Sequence, residues 1–152
     1  MENTLFNHLI GEWEIQDYVP DVQGRWKKGQ GADWIWNKTL NGNAFQDNWI
    51  SPPIDKKFEK SLRQWATVIR IFNPKKQQWE MAWMTSQSKQ IDTFTAIETQ
   101  DKVVMKGFYS GYNTKITFSG ITSNSFNWKM EFEQADKSWL EVYRMKGTKK
   151  SE

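Results

Sequence analysis

Apolar and polar residues alternate with a period of two along most of this chain, in runs of eight to twelve residues separated by turn-forming residues. Period-two patterning places successive side chains on opposite faces and is the signature of half-buried β-strands. The runs predict ten strands, over residues 12–19, 29–40, 43–50, 62–72, 77–84, 90–98, 102–109, 112–121, 125–134 and 137–147. Turn chemistry lies between them: Asn41-Gly42-Asn43, Asn73-Pro74-Lys75-Lys76, Gln100-Asp101, Ser110-Gly111, Ser123-Asn124 and Ala135-Asp136-Lys137. Ten strands joined mostly by short links predict an all-β fold, an up-and-down antiparallel barrel whose closure removes its edges. Residues 3–10 read as a short helix, too short to stand undocked, that plugs one end through Phe6 and Leu9. No repeat, low-complexity tract or linker interrupts the pattern, so 1–152 reads as a single β-barrel domain.

In a meander, alternate links lie at opposite ends of the barrel. The longer links, 20–28 and 51–61, share an end with 85–89, Ser110-Gly111 and Ala135-Asp136, and that end is the expected mouth. The links of the other end are tight and polar, which predicts a pinched floor.

Aromatic residues then change the picture from fold to chemistry. The chain holds 10 Trp, 9 Phe and 4 Tyr, an unusual load for a sequence that is polar overall. Trp34 and Trp36 share a strand face, as do Trp79, Met81 and Trp83, and Phe126, Trp128, Met130 and Phe132. In the last two strands the charged residues, Glu80 or Lys129, Glu131 and Glu133, occupy the other face, so the aromatic sides point inward. Either these rings fill a narrow barrel, or they line a cavity for a small apolar, planar or amphipathic molecule. On the second reading the ligand-binding residues are Trp34, Trp36, Trp49, Trp83 and Trp128, with Trp49 and Trp83 nearest the mouth. The strands 62–72 and 137–147 are apolar on both faces; their orientation stays open, and an outer apolar patch suited to a homodimer is the other outcome.

Arg70 is the sixth candidate. It shares a face with Ala66, Val68 and Phe72, and an interior guanidinium needs an anion, supplied either by Asp47 or by a ligand carboxylate. Tyr109 and Tyr112 flank the Gly111 turn at the mouth. Arg25, Lys27, Lys28, Lys56, Lys57, Lys60, Arg63, Lys89 and Lys137 cluster at the mouth loops, where they either steer an anionic amphiphile or are charged because loops are wet. An enzyme of the same fold, an isomerase or hydrolase using Asp47 and Glu131 as acid–base groups, is the alternative function.

Several classes fall away. There is no cysteine and one histidine, His8, so disulfides, thiolate nucleophiles and multi-histidine metal sites are excluded, and no catalytic residue, metal or cofactor is assigned. No apolar run is long enough to cross a bilayer as a helix. The first residues lack the basic and apolar regions of a secretory signal, from which a cytoplasmic location is expected. A net charge of +3, with the clearest Trp faces opposite the charges, argues against nucleic-acid binding.

Four patches together resemble a known group. They are Phe6-Asn7-His8-Leu9-Ile10-Gly11-Glu12-Trp13-Glu14; Leu40-Asn41-Gly42-Asn43-Ala44 with Asp47 and Trp49; Arg70-Ile71-Phe72-Asn73-Pro74 with Trp79 and Trp83; and Phe126-Asn127-Trp128 followed by Glu131, Asp136, Trp139 and Arg144. The first is similar to the Gly-x-Trp opening of lipocalin-like (calycin) barrels, and the set resembles DUF1579, a bacterial family of uncharacterised domains. The resemblance implies a barrel with an internal cavity. It also implies that Arg144 stacks on Trp13 across the closing strands, a cation–π contact sealing the floor. Haem-binding relatives of such barrels use a histidine close to the C-terminus, and this sequence has none there.

Overall fold

A computed structural model describes residues 3–151. They form eleven antiparallel strands: β1 (Gly11–Pro20), β2 (Trp26–Lys28), β3 (Ala32–Thr39), β4 (Ala44–Ser51), β5 (Gln64–Asn73), β6 (Gln78–Thr85), β7 (Ile91–Glu98), β8 (Val103–Tyr109), β9 (Tyr112–Ser119), β10 (Ser125–Glu133) and β11 (Trp139–Lys149). From β3 to β11 each strand pairs with the next, and β1 pairs with both β3 and β11. Ten strands therefore close a barrel, and β2 is an eleventh, three-residue strand hidden in an expected loop. It pairs only with Tyr18–Pro20, where β1 has run past the end of β3.

The expected plugging helix is not there. Among the described residues the N-terminal segment is a single 3-10 segment, Leu5–Leu9, capped by the Thr4 hydroxyl, which accepts from the Phe6 N–H at 3.3 Å. Five residues bury Phe6 and Leu9 with little room for helical hydrogen bonding, so a tight 3-10 turn suffices. One carboxylate holds it down: Glu98 accepts from Thr4 Oγ1 (2.8 Å), the Leu5 N–H (2.7 Å) and Trp79 Nε1 (2.9 Å).

Below mid-depth the barrel is packed with rings. Phe6 lies 5.9 Å from Trp36, 5.7 Å from Phe45 and 5.0 Å from Trp79, and Trp13 meets Phe126 edge-on at 4.8 Å. Two cross-strand glycines make room for rings. Phe94 lies over Gly107 of β8 and Phe126 over Gly147 of β11, where a Cβ would come within 2.7 and 2.3 Å of the respective rings. Such pairs let a bulky ring lie flat along the inner wall.

The register overturns one expected contact. Trp13 pairs with Lys149, and Arg144 pairs with Tyr18 at the mouth end. Lys149 Nζ sits 5.4 Å from the Trp13 ring, whereas the Arg144 guanidinium lies 3.7 Å over Trp26 of β2. Trp13 Nε1 instead donates to the Leu9 carbonyl at 2.7 Å. Strand β11 continues to Lys149, and that extension carries Arg144 away from the floor. The orientation of β5 is also settled: Val68 and Arg70 face in, while Trp65 and Ile71 are exposed. No helix among the described residues is long and apolar enough to cross a membrane.

Candidate ligand cavity

The upper half of the barrel is not filled. A cavity of about 170 Å3 lies above the aromatic floor. Trp34, Trp49, Trp83 and Trp128 supply indole surface to it, and Met81, Met105, Met130 and Met145 supply flexible thioethers. The alternation of β6, β8, β10 and β11 aims these side chains at one space. Trp83 stacks on Tyr109 at 4.7 Å, and Trp128 meets Tyr143 edge-on at 5.6 Å, forming two aromatic walls toward the mouth.

A buried ion pair forms one polar spot in this lining. Asp47 on β4 and Arg70 on β5 are each 1% exposed and hydrogen-bond directly through Arg70 Nη1. The second Asp47 oxygen accepts from Trp34 Nε1 at 2.6 Å, and the guanidinium lies 4.3 Å over Trp36. Burial pushes the Asp47 carboxyl up, opposed by the charge and hydrogen bond of Arg70 and by the Trp34 indole. Arg70 is thus neutralised by the protein itself. Its Nε, like Trp36 Nε1, is buried without a hydrogen-bond partner.

A second polar group sits higher. Asp17, the inward residue two positions beyond Ile15, is 7% exposed. One of its oxygens accepts from the Gly31 N–H (2.8 Å), the other from the Tyr143 hydroxyl (2.5 Å). Burial first, then the hydrogen bond and charge of Asp17, push the Tyr143 phenol well above its ordinary range; burial and Asp92 raise Tyr109 as well. Beside Asp17 a groove runs under the 52–63 loop, past Gln30, Ser51, Phe58 and Gln64. Gln64 lines both groove and cavity, and its side-chain Oε1 accepts from Trp49 Nε1 at 3.0 Å.

Five of the six sequence-derived candidates, Trp34, Trp49, Arg70, Trp83 and Trp128, line this one cavity. Trp36 does not: fully buried, it belongs to the floor, packed against both Phe6 and the Arg70 guanidinium. The proposed carboxylate pair is not brought together either. Asp47 is inside, whereas Glu131 is ion-paired with Lys115 and Lys129 at 3.9 and 3.6 Å, on the side of the wall opposite the inward Met130. Of the expected rim cations, Arg63 is not free, since it is buried and donates to the carbonyls of Pro52, Pro53 and Lys56. Arg25 pairs with Asp21 and Lys137 with Glu133, while Lys27, Lys28, Lys56, Lys57, Lys60 and Lys89 are exposed. Tyr109 lines the cavity; Tyr112 is exposed, stacked on Phe132 at 4.5 Å. His8 is exposed in the 3-10 segment.

Sequence reading missed Asp17 and Tyr143. The signal was present for the first: Trp13, Ile15 and Asp17 fall on one alternating face. For Tyr143 the strand was apolar on both faces, and only its pairing with β1 orients it.

No family model matches this sequence, and no curated protein matches it. Solved structures do resemble it in fold. An S-type phycobiliprotein lyase, CPES, from Guillardia theta superposes with a TM-score of 0.61 at 8% identity, covering 97% of this chain and 91% of that one. Rv2717c from M. tuberculosis gives a TM-score of 0.63 at 7% identity, over 96% of this chain and 95% of its own. The shared feature is the lipocalin-like closed antiparallel barrel.

Proposed function

We propose that this protein binds a small apolar or amphipathic molecule, carrying a flat ring, in the aromatic and methionine-lined cavity. The observation that carries the reading is the open space itself. The barrel has enough rings to fill its floor, yet leaves about 170 Å3 above it. An apolar cavity of about 150 Å3 is large enough to hold benzene. The ligand therefore buries one ring, or a short acyl segment, and any larger part extends toward the mouth. Burying about 250 Å2 of apolar ligand surface at roughly 25 cal/mol per Å2 offers about 6 kcal/mol before association costs, which places the dissociation constant at tens of micromolar at best.

The barrel fold shared with a phycobiliprotein lyase is compatible with an internal ligand cavity, and fold alone transfers no activity. Likewise the patches similar to DUF1579 support membership of that bacterial family without supplying a ligand. Binding is favoured over acid–base catalysis by an Asp47–Glu131 pair because Asp47 is consumed by Arg70 and Trp34, and Glu131 faces away.

The test is a titration of intrinsic tryptophan fluorescence with single-ring and two-ring aromatic compounds, repeated on Ala66→Phe. Ala66 lines the cavity, so a larger side chain there occupies the space. Saturable quenching in the wild type that disappears in a folded Ala66→Phe variant is expected. Equal quenching in both would place the compounds elsewhere and overturn the reading.

A further inference from the structure

Resting on that cavity, we infer that the preferred ligand is cationic: an aromatic amine or ammonium compound whose ring enters the cavity and whose positive group sits at Asp17 in the adjoining groove. The charge arrangement points there. Within the cavity lining, Arg70 and Asp47 cancel one another. Asp17 is different. It is a buried carboxylate that takes part in none of the ion pairs among the described residues, and both of its partners, the Gly31 N–H and the Tyr143 hydroxyl, are neutral donors. A carboxylate retains further acceptor positions after two hydrogen bonds. An uncompensated buried charge is costly, and a ligand cation would relieve that cost.

The surroundings fit the same class. Asp17 lines the groove, and its hydrogen bond to Tyr143 links it to the cavity wall. Gly29 lies against the carboxylate, where any Cβ would come within 2.3 Å of Oδ2, so a side chain there would have to displace Asp17. Trp49, Trp83, Tyr109 and Tyr143 offer half-buried aromatic surface near the opening, which attracts cations through the ring quadrupole. An anionic head finds no comparable seat. Arg70 is already paired and Arg63 is tied to three backbone carbonyls. The rim lysines are exposed, and at physiological salt their field is screened within about 8 Å.

Three single-ring probes separate this from simple apolar binding: 2-phenylethylamine, its neutral counterpart 2-phenylethanol, and phenylacetate, titrated at pH 7 by fluorescence or calorimetry. The expected order is amine over alcohol over acid, the amine about tenfold tighter than the alcohol, as for a hydrogen-bonded charge pair. In Asp17→Asn, which keeps the shape and one of the two acceptor oxygens, the amine-to-alcohol ratio should fall to about one. An amine that binds no better than the alcohol, or a preference that survives in Asp17→Asn, overturns the inference and leaves the cavity reading standing. Failure of all three probes removes both. Should Asp17→Asn not fold, the wild-type ratio decides alone, read again at high salt where a buried pair persists and rim steering fades.

Discussion

Individual side chains here fall into those that hold the wall and those that face the space. Trp13 is of the first kind, fully buried, hydrogen-bonded to Leu9 and edge-on to Phe126. Replacing it with Ala should cost about 3–5 kcal/mol, roughly 10 °C in melting temperature for a chain of this size, which a thermal melt reads directly. A melting point within two or so degrees of wild type would deny Trp13 that role. Tyr143 offers a pH signature. Its phenol is harder to ionise in the folded chain than in the unfolded one, so its contribution is fully present below about pH 10 and is lost as pH rises further. Tyr143→Phe should flatten the alkaline fall in unfolding free energy; an unchanged slope would separate the phenol from alkaline stability. At this scale the sequence was informative wherever alternation was clean. Asp47 and Arg70 share inward faces with apolar neighbours, which is why their pairing was one of two foreseen outcomes. Asp17 was equally visible beside Trp13 and Ile15. Its significance was not, because it depends on Gly31 and Tyr143, 14 and 126 positions away.

Elements follow the turn residues closely, and their mutual register does not. Asn, Gly, Pro and Asp clusters mark nearly every link, so ten wall strands were legible with modest boundary errors. The strand β2 escaped because three residues carry no periodicity, and the N-terminal segment was read as a helix because five residues look alike in either helical form. Register between β1 and β11 is set by long-range pairing, so Arg144 went to the wrong end. Two element-scale expectations follow from the docking contacts. Glu98→Ala removes the acceptor for Thr4, Leu5 and Trp79 together, and should lower stability by about 1.5–3 kcal/mol in urea unfolding, with faster hydrogen exchange at Leu5. Unchanged exchange there would show that burial of Phe6 alone holds the segment. Gly107→Ala pushes a Cβ into the Phe94 ring and drives the ring into the cavity, costing about 1–3 kcal/mol and weakening probe binding. Undiminished binding in a folded Gly107→Ala protein would mean that Phe94 does not bound the ligand.

For the whole molecule, closure of the barrel decides both stability and use. A closed ten-strand wall leaves more interior than the rings at its floor can fill, and the residual space lies beside the mouth loops. Whether that space existed was not legible, since interior volume depends on strand tilt and stagger, which no single strand encodes. The direction in which the aromatic stripes face was legible, and it brought five of six candidates to one cavity. The most direct measurement is methyl NMR of methionine-labelled protein titrated with a single-ring compound. Met81, Met105, Met130 and Met145 line the cavity, while Met84 alternates to the outer face of β6. Saturable shifts of those four methyls, with Met84 unmoved, are expected. Probes that move Met84 alone, or that leave all four cavity methyls in place across the aromatic series, would contradict a ligand-binding cavity.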